Sequence, residues 1–374
     1  MNIRLFICGM LIVSIVACRK SEEDEPVDVP EVVIQYPDLP NKLYNYTSFT
    51  WPGHFDMDGL GNMGGEPDDN PTTDAGATLG RVLFYDKNLS INRTVSCGSC
   101  HQQAHGFADP NPKSVGHGGG FTKRNASHIV NLVYGEHFFW DGLSPSLEQQ
   151  VLMPIQDNVE MGLTLGQMVS RLQSLPYYPS LFAAAFGSEQ ITANRTAHAL
   201  AQFVRSIVSY QTRYDQAVAN DFTSFIPLEW EGKSIFFNTD TKCDQCHTTA
   251  TFFSNDRMND GLDMQYLDPG LGGLTMNAAD NGKFKVPSLR NVMLTAPYMH
   301  DGRFATIEEV IGHYSDGVQA HPNLDMRLTL EGVTGGTPAH QGFSPDQVVA
   351  LKAFLATLTD EAMINDPKYS DPFQ

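Results

Sequence analysis

The sequence predicts a mainly α-helical chain of two domains joined by long irregular loops. Three observations carry that prediction. Apolar residues recur at helical spacing behind capping residues in several segments, and no apolar/polar alternation runs long enough for a large sheet. A pentapeptide of one pattern occurs twice, at Cys97–His101 and Cys243–His247, 146 residues apart, in a chain of 374 residues that is long enough for two cores.

The elements follow in chain order. "MNIR" is a short basic start and "LFICGMLIVSIVA" an apolar run too short to span a bilayer. "IVAC" then places small residues before Cys18, the pattern of a bacterial lipoprotein signal over 1–17, with Cys18 as the lipidated residue. The acidic, Pro-rich stretch that follows has little to bury and reads as a tether over 18–45. A first domain is expected over 46–225. Its helix "LTLGQMVSRL" starts at a Thr164/Gln167 capping box, and a longer helix over 191–212 shows a stripe of Leu200, Phe203, Val204, Ile207 and Val208. A second domain over 226–374 begins with "FIPLEWEGKSIFF". It continues through a capping box at Thr306/Glu309 and a helix with Ser344 as N-cap, Pro345 in the first turn and Gln347 beyond. Gly-, Asn- and Asp-rich runs separate these helices. Beyond the pentapeptide no closer internal repeat is read.

Composition narrows the function. Hydrophobic residues make up 41 % and charged residues 18 %, as in a globular chain, and the formal net charge is -19. A surface of that sign lacks the basic patch that offsets phosphate, so nucleic-acid binding is excluded. It suits a soluble protein, or one that docks a basic or dipolar protein partner.

The cysteines are more specific. Of six, Cys8 leaves with the signal and Cys18 takes the lipid. Cys97, Cys100, Cys243 and Cys246 remain, as two pairs each followed at once by histidine. C-x-x-C-H is the attachment pattern of c-type haem. The cysteines bond the macrocycle and His101 or His247 ligates iron from the proximal side. Zinc would need a fourth ligand that neither pentapeptide supplies. The domains are therefore expected to be cytochrome c-like, with two covalent haems filling much of their cores.

The segments "FYDKNLSINRTVSCGSCHQQAHGFAD", "SVGHGGG", "KRNASHIVN", "FFWDGLSPSLEQQVLMPIQDNVEMG", "KCDQCH" and "VPSLRNVMLTAPYMHDGRF" together resemble, in order, the bacterial di-haem cytochrome c peroxidases and the related MauG-type oxidases. The resemblance runs from about Leu79 to the last helix. It implies that His117 is a displaceable distal ligand of the first haem iron, carried on a Gly-rich loop that lets it swing. It implies that Glu160 is the catalytic acid/base and that Gln150 hydrogen-bonds the oxidant. Trp140 becomes the electron relay between the haems. Asn125, Thr295 and Pro297 become oxygen donors to one calcium ion. His300 and Arg303 pack around the second haem and its propionates. In the peroxidases the second haem carries a distal methionine. Here the matching position is Tyr314, as in MauG-type enzymes, where the phenolate would lower the potential. Met326 after a loop shift, or water, are the competing sixth ligands.

The expectation is a periplasmic di-haem peroxidase held to the membrane only by its lipid. It reduces hydrogen peroxide with electrons from a small cytochrome c or cupredoxin-type donor, and a homodimer is allowed. A MauG-like oxidase acting on side chains of a partner protein is the first alternative. A non-catalytic electron carrier is the second, and Glu160 and the Gly-rich loop speak against it.

Overall fold

The computed structural model describes residues 34–57 and 66–374, and the expected signal 1–17, Cys18 and residues 19–33 of the tether lie outside the described residues. Residues Tyr36–Gln374 form one compact unit. That unit is mainly helical. Among the described residues the sheet content is one antiparallel pair, Arg257–Met258 with Phe284–Lys285.

Four helices carry the two cores: α1 Asp74–Tyr85, α2 Ala193–Ser206, α3 Pro227–Phe236 and α4 Pro345–Ala356. Their starts follow the local chemistry. The Thr73, Thr192 and Ser344 hydroxyls accept the first free backbone N–H groups, and the Glu229 carboxylate takes the Ile226 N–H (3.0 Å). The capping boxes at Thr164/Gln167 and Thr306/Glu309 form as expected. α1 packs on α2, and α3 on α4.

Both crossings are close because a glycine sits at each. A Cβ on Gly80 would stand 2.0 Å from the Ala199 carbonyl oxygen and 2.7 Å from the Phe203 Cβ. One on Gly232 would stand 1.9 Å from the Ala350 oxygen and 2.8 Å from the Phe354 Cβ. The first core gathers Leu79, Leu83, Phe84, Leu200 and Phe203, and the second Phe236, Phe252, Leu351, Phe354 and Leu358. Ala217 and Phe225 pack into the second core, while Met363 and Tyr369, beyond α4, return to the first. The Tyr369 hydroxyl donates to the Ser206 carbonyl (2.6 Å), and the Tyr85 hydroxyl donates to the Tyr369 carbonyl (2.7 Å).

Two expectations change. The helix expected over 191–212 stops at Ser206. There Asn131, at φ 61°, donates its N–H to the Ile207 carbonyl (2.9 Å) and accepts the Ser209 N–H on its side chain (2.7 Å), so the chain leaves the helix. Ile207 and Val208 stay buried although they are no longer helical.

A repeat beyond the pentapeptide also exists. Asn291, at φ 63°, does for Leu358 (2.9 Å) and Asp360 (2.7 Å) what Asn131 does for Ile207 and Ser209. Adding 160 to a residue number carries the 3-10 turn Leu132–Tyr134 onto Val292–Leu294, and the bridge Phe138↔Ser144 onto Tyr298↔Phe304. The halves meet through a reciprocal pair of backbone bonds. Asn125 N–H donates to the His300 carbonyl (2.8 Å), and its mate Lys285 N–H donates to the carbonyl of Trp140, the mate of His300 (2.7 Å).

Gly80→Ala and Gly232→Ala force those crossings apart. Each is expected to destabilise the protein by about 3 kcal/mol through overpacking. Gly166→Ala, in an open position of helix Leu165–Ser174, should be neutral or slightly stabilising. Thermal denaturation of the three variants checks this.

Candidate functional site

Each C-x-x-C segment is a single helical turn, Cys97–Cys100 and Cys243–Cys246, with His101 or His247 as the residue that closes it. The first turn is set by Ser96, whose N–H donates to the Ser99 hydroxyl (2.9 Å). Gly98 is needed there because a Cβ would stand 2.4 Å from the Tyr85 ring. The second starts from Lys242 in the left-handed region. Each imidazole is pinned through one nitrogen. His101 Nδ1 lies 3.1 Å from the Phe107 carbonyl, and His247 Nδ1 lies 3.1 Å from the Pro287 carbonyl. An Nδ1–H donated to those oxygens leaves Nε2 with its lone pair toward the cavity, the arrangement that a metal-ligating histidine requires. Burial keeps both rings neutral, pulling His247 down to about 4 and His101 in the same direction. Burial also pushes the four thiols up, to about 12 at Cys97 and Cys246 and about 11 at Cys100 and Cys243. Two thiols and a bare imidazole nitrogen at the edge of a largely apolar cavity are what a c-type haem needs.

The first cavity, about 80 Å³, brings together Cys97, Cys100, His101, Gln150 and Glu160. Glu160 sits in a tight loop built by Asp157, whose carboxylate accepts the N–H groups of Val159 (2.7 Å) and Glu160 (3.2 Å). Burial, and then the Asp157 charge, raise the Glu160 carboxyl to about 7. The Gly-rich loop is zipped onto this one. His117 N–H donates to the Glu160 carbonyl (3.0 Å), and a Cβ on Gly116 would stand 1.6 Å from the Val159 oxygen. The His117 ring does not line the cavity. Its Nε2 lies 2.9 Å from the Asn158 carbonyl, beside Gly162, where a Cβ would stand 2.7 Å from that nitrogen.

The second cavity is larger, about 230 Å³, and holds Cys243, Cys246, His247 and Tyr314. Tyr314 belongs to a π-turn, His313–Gly317, that continues helix Ile307–Gly312. The turn sends the His313 ring to the Asp260 carbonyl (3.1 Å) and leaves Tyr314 in the cavity wall. Burial, with Asp260 and the Cys246 and Cys243 sulfurs nearby, holds the phenol well above its ordinary pKa in the bare polypeptide. Met326 is 51 % exposed and is not part of the wall. Pro154 is the repeat mate of Tyr314 and lines the first cavity, so the same place offers a phenol in one half and no donor in the other. The sequence reading passed over Pro154. Its signal was the 160-residue offset.

Trp140, Asn125, Thr295 and Pro297 share a wall of the second cavity. The Trp140 indole N–H donates to the Asn125 carbonyl (2.9 Å). Trp140 thus lines the second cavity, while Gln150, ten residues on, lines the first. His300 stacks on Phe284 (3.8 Å between centroids) in the second cavity. Arg303 lies apart, paired with Asp263 and Asp301.

Comparisons with known proteins find relatives of this chain. A family model described as di-haem cytochrome c peroxidase matches residues 74–223. The methylamine utilization protein MauG of Methylorubrum extorquens is 36 % identical over 264 residues, 70 % of this chain and 74 % of that protein. The cytochrome c551 peroxidase of Nitrosomonas europaea is 32 % identical over 289 residues, 76 % of this chain and 80 % of that protein. A crystal structure of a MauG-like protein associated with microbial copper homeostasis superposes with a TM-score of 0.74 at 34 % identity, covering 83 % of this chain and 96 % of that one.

The raised Glu160 pKa has a consequence for stability. A carboxyl held protonated by the fold stabilises it fully below the unfolded value, and that contribution is lost as pH rises through about 7. Glu160→Gln should therefore match the parent in stability at pH 4 and exceed it at pH 8, by on the order of 2 kcal/mol. Denaturation curves at the two pH values measure the difference.

Proposed function

Because the chain belongs to the di-haem cytochrome c peroxidase family that includes the MauG proteins, we propose that it reduces hydrogen peroxide to water at the C-x-x-C-H unit of Cys97–His101, with Glu160 as its acid/base. The single observation that carries this reading is the placement of Glu160, with its pKa near 7, in the same cavity as Cys97, Cys100 and His101. The two c-type haems supply the iron that binds the oxidant and the redox store through which two electrons arrive from a small redox protein. The chain supplies the proton traffic. Glu160 takes the proton from the inner peroxide oxygen and gives it to the outer one, which turns the outer oxygen into a leaving water. A carboxyl poised near the working pH does both steps well. Gln150 orients the oxidant from the same wall, and Pro154 offers no competing ligand.

His117 and Glu160 act together in this reading. The His117 N–H holds the Glu160 carbonyl, and the His117 ring rests on Asn158 of the same loop. A swing of His117 toward the iron as a resting ligand would thus move the loop that carries the acid/base. Trp140 relays electrons between the halves. Asn125, Thr295 and Pro297 donate oxygens to a calcium ion beside it. Cys18 carries the lipid that tethers a periplasmic protein, and the reductant is a small cytochrome c or cupredoxin. Each half holds one haem, with the expected cut at 225/226 crossed by Ala217 and Phe225, which pack in the second core, and by Met363 and Tyr369, which pack in the first.

One observation favours a second reading. Tyr314, not Met326, stands in the second cavity, and a phenolate there suits a centre that shares oxidising power rather than one that only collects electrons. That would make the chain a MauG-like oxidase of a partner protein. The similarity to MauG and to the MauG-like protein associated with copper homeostasis supports it.

Steady-state turnover of hydrogen peroxide with a reduced small cytochrome is expected, and absence of turnover with both haems loaded sinks the first reading. Glu160→Gln should lower kcat about 100-fold or more with a small change in KM. Tyr314→Met should raise the potential of one haem and change its ferric EPR spectrum. An unchanged spectrum removes Tyr314 from the iron.

A further inference from the structure

Lys285 carries a charge that the proposed mechanism does not use. Its backbone is committed to the Trp140 carbonyl, and its side chain enters the second cavity. The ammonium lies 5.4 Å from the centre of the Phe253 ring, and among the described residues no ion pair includes it. Neighbouring cations differ. Arg124 pairs with Asp141 and Asp268, Arg290 with Asp215, Arg303 with Asp263 and Asp301, and Arg327 with Asp325. Burial alone acts on Lys285 and lowers its pKa to about 8.

His128 stands in the same wall, 9 % exposed. Its Nε2 lies 3.0 Å from the Ser288 carbonyl, while Nδ1 is buried with no hydrogen-bond partner among the described residues. Burial first, and then the Lys285 charge, lower the His128 imidazole to about 4, and its Nδ1 is closed off from the cavity, so Lys285 is the one group of the two that faces a ligand there. An ammonium left without an ion-pair partner in a largely apolar wall is costly unless an anion joins it. No carboxylate of the described residues pairs with Lys285, which leaves a bound anion as its partner.

Resting on the two-haem reading, we propose that Lys285 seats a propionate carboxylate of the haem held at Cys243–His247. Lys285 is the permanent counter-charge. The seat belongs to one half alone. The repeat mate of Lys285 is Asn125, an uncharged amide. The ammonium therefore favours the reduced form of the second haem. It opposes the effect of a Tyr314 phenolate and keeps that centre able to take in electrons.

The test is Lys285→Met in the mature protein, with haem counted by pyridine haemochrome so that loss of cofactor is distinguished from loss of the seat. With two haems bound, one midpoint potential should fall, and one propionate bending mode should shift in the resonance Raman spectrum. Lys285→Arg should restore both. Unmoved potentials and modes in a two-haem Lys285→Met protein overturn the proposal. If Lys285→Met does not load two haems, Lys285→Gln takes its place under the same criteria. If neither loads while Lys285→Arg does, a required cation is supported. Failure of all three substitutions assigns Lys285 a packing role and overturns the seat.

Discussion

Two backbone hydrogen bonds hold the working parts of this protein in place. Asn125 gives its N–H to the His300 carbonyl, and Lys285 gives its N–H to the Trp140 carbonyl. Each bond ties one half to the other at matching positions of a repeat, so the halves meet about a local pseudo-twofold relation. Trp140, Lys285, Asn125 and His300 are all fixed by this exchange. All four line the second cavity, so the exchange also fixes part of its wall. Backbone bonds suit this role because they constrain position while leaving the side chains free to differ.

That freedom is where function enters. Both halves use one scaffold: a glycine at a helix crossing, a one-turn C-x-x-C helix, and a histidine whose Nδ1 is held by a carbonyl. The scaffold makes a cavity in each half, and side chains at matched positions then separate the two. Pro154 faces Tyr314 across the repeat, and Asn125 faces Lys285. Glu160 comes from a loop that the Gly-rich segment grips directly. An open face with an acid/base beside it suits the breaking of an oxygen–oxygen bond. A face closed by a phenol and balanced by a buried cation suits the handling of electrons.

Much of this was legible in the sequence because the signals were local. The capping boxes at Thr164 and Thr306, and the Ser344–Pro345 start, each depend on residues three apart, and all formed. The cysteine–histidine spacing named the cofactor chemistry for the same reason. The end of the 191–212 helix was not legible. Ile207 and Val208 keep the helical stripe, and what stops the helix is Asn131, more than seventy residues away. The larger repeat was hidden too, since its offset is 146 at the cysteines, 160 at Asn131 and Asn291, and 151 at Phe203 and Phe354. Insertions blur such a repeat in a sequence, but they do not change which backbone groups pair.

What the sequence by itself determined was the kind of protein: two helical haem units, an acidic surface, and a short set of residues able to ligate iron or move a proton. Those properties follow from spacing along the chain and from side-chain chemistry. Only the tertiary structure decided which of those residues share a cavity. It put Glu160 and Gln150 with His101, put Tyr314 with His247, and left Met326 outside. It also showed Lys285 in the cavity wall with no ion-pair partner among the described residues. Whether a charge has a partner is settled by burial and by groups distant in sequence, and no local pattern records either.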